Sequence, residues 1–336
     1  MLTLIAIEWD VTMTTQSGFI FALCLDGQGS GRYVAWEDIS KWTPEQGTLW
    51  IHLDYRGEGA QNWLEHESNI DPLLLESLTA TETRPRSDVH KNVMLGILRG
   101  VNLNPEADPE DMVSVRFWIE EKRIVTMRHR RIMALEGLRK AVESGTGPTG
   151  PGDFLDCFAD ALTARMGDVI ADIDDAFDAI EEEVLTQKSF ELRPRLANIR
   201  RTVISLRRYI APQRDVITQM QNAKVDWLND SERMSLRETA DRTTRFVEDL
   251  DAIRDRATVT QEELNSSLTE QMNKTMYVLS IVAGIFLPLG LLTGLLGINV
   301  GGIPGTENPR AFAIFCVILI VVAAWQVWLF KRKKWM

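Results

Sequence analysis

Two apolar runs near the end of the chain constrain it more than any other feature. Met276–Val300, MYVLSIVAGIFLPLGLLTGLLGINV, is 25 residues without a charge, and Ala311–Phe330 adds 20 more. A helix needs about 20 apolar residues to cross a hydrocarbon core, so each run is long enough to span a bilayer. The segment between them, GGIPGTENPR (301–310), carries three glycines and two prolines and is expected to turn tightly on the far side. The runs therefore predict a helical hairpin through a membrane and exclude a purely soluble protein, although the mean hydropathy of −0.12 conceals them. Lys331, Arg332, Lys333 and Lys334 follow the second run and Lys274 precedes the first, whereas the loop sets only Arg310 against Glu307. This bias places both ends of the hairpin on the cytoplasmic side, and Trp325, Trp328 and Trp335 read either as interfacial anchors or as ordinary lipid-facing bulk.

The rest of the 336 residues reads as the folded cytoplasmic part of a membrane protein. With 45% hydrophobic and 25% charged residues, the chain is neither disordered nor fibrous. Cys24, Cys157 and Cys316 are odd in number and far apart, which leaves no disulfide framework and no thiol zinc cluster. The opening MLTLIAIEWDVT meets Glu8 and Asp10 before an apolar stretch reaches signal length, so the soluble part is expected to stay in the cytosol. Strand-length runs GFIFALCL, RYVAW and TLWIHLDY surround the turn Asp26-Gly27-Gln28-Gly29. Helices are expected at Gln61–Ser68, after Asp71-Pro72 and over 131–143, a strand over 92–103, and a hairpin from MVSVRFWIE and RIVTMRH. These elements predict an α+β domain over 1–150, closed by the breaker-rich SGTGPTGPGD at 144–153. Beyond it lies a helical stalk over 151–272, with helices at Asp153–Gln187, from Pro194 to a break at Ala211-Pro212, and from about Asp230 onward. Phe246, Leu250, Ile253, Ala257, Leu264 and Leu268 keep coiled-coil-like spacing in the last of these, which nothing interrupts before the first span. Residues 273–336 form the membrane hairpin.

Two spans near the C-terminus, a long helix feeding the first, Gly297-Ile298-Asn299 at its far end and a basic tail together resemble the CorA superfamily of divalent-cation transporters. GINVGGIPG (297–305), MNKTMYVLS (272–280) and RRYIAPQRD (207–215) are similar to its zinc-transporter branch, ZntB; WIHLD (50–54) and ETRPR (82–86) also look like superfamily signatures. The methionine and acidic loop of the magnesium channels are missing at 298 and beyond. The resemblance implies a funnel-shaped homopentamer in the inner membrane, with the first span of each subunit lining a central pore and the second outside it. It further implies that zinc is the transported ion, with proton coupling; no cofactor is implied, and the partners are other copies of the chain, lipid and divalent cations rather than nucleic acid.

The residues permit a check on the pore. Asn273, Met276, Ser280, Ala283, Leu287, Gly290 and Gly294 follow alternating steps of three and four and lie on one seam of a helix. Around an axis they would give polar rings at Asn273 and Ser280 and apolar constrictions at Met276 and Leu287, although small residues in such a seam also serve ordinary helix packing. Asn299 reads either as a helix-end cap or as a ring of neutral amide oxygens at the pore mouth, with Gly297 and Ile298 beside it. The first span holds no carboxylate, histidine or thiol, so a largely hydrated ion is expected to pass.

Charge supplies the remaining candidates. Setting Lys274, Arg310 and the four tail cations aside from the 37 basic residues, and Glu307 from the 48 acidic ones, leaves 31 against 47 in residues 1–270. That acidic balance concentrates cations nearby. Asp168, Asp172, Asp175 and Glu182 share one helix face, which is either solvated or cation-attracting. Cys157 with Asp153 and Asp160 is the one grouping with mixed soft and hard ligands for a metal, and Cys157 reads otherwise as a packed thiol; the four histidines show no ligand spacing. No Walker, HExxH, GxSxG or kinase-type glycine motif occurs, so neither an enzyme nor direct ATP drive is expected. A CorA-like magnesium or cobalt channel, and a membrane-anchored coiled-coil sensor or scaffold, stay open as alternatives.

Overall fold

The structure, a computed structural model, describes residues 17–81, 83–186, 190–297 and 308–333. It divides into two compact units, Met1–Thr186 with Glu191–Thr260, and Gln187–Phe190 with Gln261–Met336.

The first unit is built on a seven-stranded sheet of β1 (Phe19–Leu25), β2 (Gly31–Tyr33), β3 (Thr48–Asp54), β4 (Arg86–His90), β5 (Val93–Gly100), β6 (Val113–Ile119) and β7 (Arg123–Arg128). Their order is β2-β1-β3-β7-β6-β5-β4, and only the β3–β7 pair is parallel. The β1–β2 turn forms where expected: Gly27 and Gly29 supply φ of 80° and 93°, and Asp26 Oδ1 accepts from the backbone N–H groups of Gln28 and Ser30. RYVAW does not stay extended. The strand stops at Tyr33, and Trp36–Lys41 coils into a 3-10 turn that carries Ile39 into the core. Strand β4, RSDVH, was not anticipated because an exposed edge strand carries no apolar alternation.

Alternating strand residues feed opposite faces of the sheet. On one face Ala22, Leu49, Ile51, Leu53, Val125 and Met127 meet Trp63 and Leu64 of α1 (Glu58–His66) and Leu75 and Leu78 of α2 (Pro72–Thr79). On the other, Trp50 and Phe117 stand edge-on to Phe154 and Phe158, with ring centroids 4.9 and 6.5 Å apart. Trp50 Nε1 donates to the buried Thr126 hydroxyl, which also lies 2.9 Å from His52 Nδ1. The second face is covered by α4 (Pro151–Thr186), which follows α3 (Met133–Glu143).

Helix α4 begins at Pro151, where a missing N–H is harmless in the first turn. Helix α5 (Leu192–Gln221) corrects the expected break, because it runs straight through Pro212. An internal proline costs about 3 kcal/mol or more. The neighbouring Gln213 offsets part of that cost: fully buried, its amide accepts from Arg99 N at 2.7 Å and donates to Arg99 O at 3.0 Å, anchoring the helix on β5. Helix α6 (Asp230–Gly297) opens with a reciprocal capping box in which Asn229 Oδ1 accepts from Glu232 N and Glu232 Oε2 from Asn229 N. Leu250, Ile253 and Ala257 of its coiled-coil-like series are buried, as expected.

In the second unit, α6 continues uninterrupted to Gly297 with Pro288 inside it, and α7 covers Ala311–Arg332. Both are long and apolar enough to cross a membrane. Ile281, Gly284, Ile285, Pro288, Leu289 and Leu292 form the half-buried side of α6. A Cβ on Gly284 would lie 3.1 Å from Phe330 of α7, so the missing side chain lets the two helices approach.

Candidate functional site

The candidate ion path is the seam of α6. Asn273, Met276, Ser280, Ala283, Leu287, Gly290 and Gly294 are all exposed, and they lie across the helix from the side that meets α7. Residues seven apart return to nearly the same helix face, so this seam stays on one side throughout the span. Nothing lies within 4 Å of where a side chain would start on Gly290 or Gly294. Ser280 donates its hydroxyl proton to Met276 O at 2.8 Å, so its oxygen remains as an acceptor. Gly297 is the last residue of α6; Ile298 and Asn299 lie outside the described residues, as does Trp335.

The acidic helix α4 separates into two sets. Asp174, Asp178 and Glu181 converge on Arg256 of α6, at 3.3 Å for Asp174 and 2.6 Å for Glu181, and the guanidinium also lies 4.7 Å over the Phe177 ring. These charges push Arg256 above its ordinary pKa. Asp168, Asp172, Asp175 and Glu182 remain exposed and, among the described residues, enter no ion pair.

The grouping of Cys157, Asp153 and Asp160 is not a metal centre. Among the described residues no three His, Cys, Asp or Glu side chains are arranged to hold a metal. Asp160 is engaged by Arg242, and Asp153 Oδ2 accepts from Thr149 N and Oγ1 at 2.8 and 2.9 Å. The Cys157 thiol, half-buried and facing Asp153, is pushed up to about 12 by burial and then by that carboxylate. Sequence reasoning missed the carboxylates beside it: burial raises both Asp156 and Glu232, with Asp153 as a further cause in each case. Its only available signal was acidic residues at helical spacing on two helices that had not yet been paired.

The signature segments prove to be joints. WIHLD forms the C-terminal part of β3, with Trp50 and His52 buried on Thr126. Of ETRPR, Glu82 lies outside the described residues, while Arg86 donates to Ser77 O. RRYIAPQRD joins three elements: Arg207 forks onto Asp251, Arg99 lies 3.8 Å over the Tyr209 ring, and Gln213 holds β5.

A sheet-based domain, a helix running into one apolar span and a second span beside it define a membrane protein of the metal-ion transporter class. The family model described as "CorA-like Mg2+ transporter protein" matches residues 45–332. The chain is 39% identical over 325 residues to the divalent cation transporter CmaX of Pseudomonas aeruginosa, covering 96% of this chain and 98% of that one. It is 36% identical over 320 residues to the zinc transport protein ZntB of Pectobacterium atrosepticum, covering 95% and 97%. The structure of full-length CmaX superposes with a TM-score of 0.83 at 38% identity, covering 95% of this chain and 99% of that one. The CorA magnesium transporter of Methanocaldococcus jannaschii, 18% identical and covering 94% and 99%, shares the fold with a TM-score of 0.78. The chain belongs to the CorA-like family. It is a divalent-cation transporter of the CorA/ZntB type and not an enzyme.

Proposed function

We propose that this protein carries zinc across the inner membrane through a central pore of five subunits, each lining it with the Asn273-to-Gly294 seam of α6. The observation that carries the reading is that this seam is open along its whole length while the opposite side of α6 takes up α7. A face of glycine, alanine and weakly polar residues, narrowed by Met276 and Leu287, offers neutral surroundings and no multidentate ligands, which suits an ion that keeps most of its water. Asn299 at the outer mouth then supplies amide oxygens to the arriving hydration shell, and the exposed acidic residues of the cytoplasmic part raise the local cation concentration. Zinc is favoured by the likeness to zinc transport proteins at 34–36% identity. A broader divalent selectivity is the second reading, favoured by the 39% identical divalent cation transporter and by a span without carboxylate, imidazole or thiol.

Metal flux into proteoliposomes, comparing zinc with magnesium and with and without a pH gradient, tests the proposal together with Asn299→Ala. The variant is expected to assemble normally and lose transport, whereas a capping residue would cost about 1 kcal/mol per helix and leave flux nearly normal. Normal zinc flux in an assembled Asn299→Ala protein would remove Asn299 from the path. Equal zinc and magnesium flux would select the broader reading.

A further inference from the structure

Helices α4 and α5 carry opposite charge, and each leaves part of it unused. On α5, Arg195, Arg207 and Arg214 are taken up by Glu183, Asp251 and Asp215. Arg201 and Arg208 are exposed and form no ion pair among the described residues; between them stands Ile204, 49% exposed. On α4, Asp168, Asp172, Asp175 and Glu182 are likewise exposed and outside any ion pair among the described residues, interleaved with the exposed Ala171 and Ala179. Arg256 neutralises Asp174, Asp178 and Glu181 and none of these four.

The two faces match in spacing as well as sign. Seven residues make almost two full turns, so Arg201 and Arg208 lie on one stripe about 10 Å apart. Asp168 and Asp175 repeat that interval, as do Asp175 and Glu182. The alanines keep the acidic stripe low enough for the aliphatic stems of the arginines and the Ile204 side chain to lie against it. We propose that the acidic face of α4 in one copy docks on the Arg201–Ile204–Arg208 face of α5 in the next copy, an inference that rests on the oligomeric reading above. Two different, complementary patches on one chain form a head-to-tail contact, and repetition of such a contact closes a ring when its rotation allows. Fixed charge spacing sets the register of neighbouring subunits, which is the specificity that electrostatic complementarity supplies best.

The test uses the full chain in detergent, with native mass spectrometry following the temperature at which the assembly releases subunits. R201E/R208E and D168R/D175R each place like charges across the contact and are expected to lower that temperature. High salt should lower it in the unmodified protein too, because exposed charges are screened beyond a Debye length of about 8 Å at physiological ionic strength. The fourfold variant restores opposite signs in reversed order and is expected to regain the original release temperature, which separates pairing from damage to either helix. Doubly substituted proteins that behave like the unmodified one, or a fourfold variant no better than the doubles, would overturn the pairing while leaving the oligomer intact. A monomeric unmodified protein would instead overturn the oligomeric reading itself.

Discussion

Asp156 is held in surroundings that disfavour its charge. Its Oδ1 is buried without a hydrogen-bond partner, and Asp153, Asp160 and Glu238 add their repulsion to the burial, against the stabilising bond from Ser235. Because these raise its pKa in the folded protein, the native state holds the proton more tightly than the unfolded chain does. The stability linked to that proton is complete below the ordinary aspartate range, about pH 4, and is lost as pH rises through the raised value. Asp156→Asn should therefore raise the melting temperature at neutral pH, and the advantage should fade as the pH falls below the ordinary aspartate range. Thermal unfolding of both proteins across that range checks the sign; a variant less stable at pH 7 would contradict it. At this scale the sequence was legible where periodicity decides burial, as at Leu250, Ile253 and Ala257 of α6. It left Cys157 open between a packed thiol and a metal ligand, because Thr149 and Arg242, which engage Asp153 and Asp160, cannot be placed from helical spacing alone.

Between elements, the contact of α4 with α6 turns on one cation. Arg256 serves three carboxylates at once and covers Phe177, so removing it leaves like charges crowded together rather than one broken pair. Each participant is partly exposed, which limits the loss from Arg256→Met to about 1 kcal/mol. Arg256→Lys should recover only part of this, since an ammonium cannot fork between acceptors. Melting temperatures at low and high salt provide the readout: the deficit of Arg256→Met should shrink in high salt, and a lysine variant as stable as arginine would refute the geometric argument. Long elements were readable from the sequence because helix formers, caps and charge-free runs extend over many turns. Pro212 and β4 were not. The proline is tolerated through Gln213 and its partner Arg99, 114 positions away, and β4 is a strand because β5 offers it an edge.

For the whole molecule, orientation in the membrane is the property that charge determines. Lys331, Arg332 and Lys333 close α7, and Lys274 stands ahead of the span in α6. Their preference for the cytoplasmic side predicts that residues 1–270 are protected from protease in right-side-out vesicles and cleaved in inverted ones. Cleavage from outside would reverse the topology and with it the side on which the acidic residues act. The overall architecture was legible because hydrophobic length and the order of strand and helix signals are written locally. The sheet order was not, since pairing depends on which distant edges meet.

That parallel pair at the middle of the sheet bears on how the chain reaches its fold. Strands β1 to β3 close through short connections, as do β4 to β7, so each group assembles from neighbours in sequence. The two groups join only through β3 and β7, where Trp50 meets Thr126, 76 positions later. Closing so long a loop is entropically costly before any contact rewards it, and such topologies fold slowly. During synthesis the first group must therefore wait with one edge of β3 unpaired until β7 has been made, leaving a strand that carries Leu49, Trp50, Ile51 and Leu53 without its neighbour. The sheet can close only after β7 has appeared, which makes the order of biosynthesis part of what its topology requires.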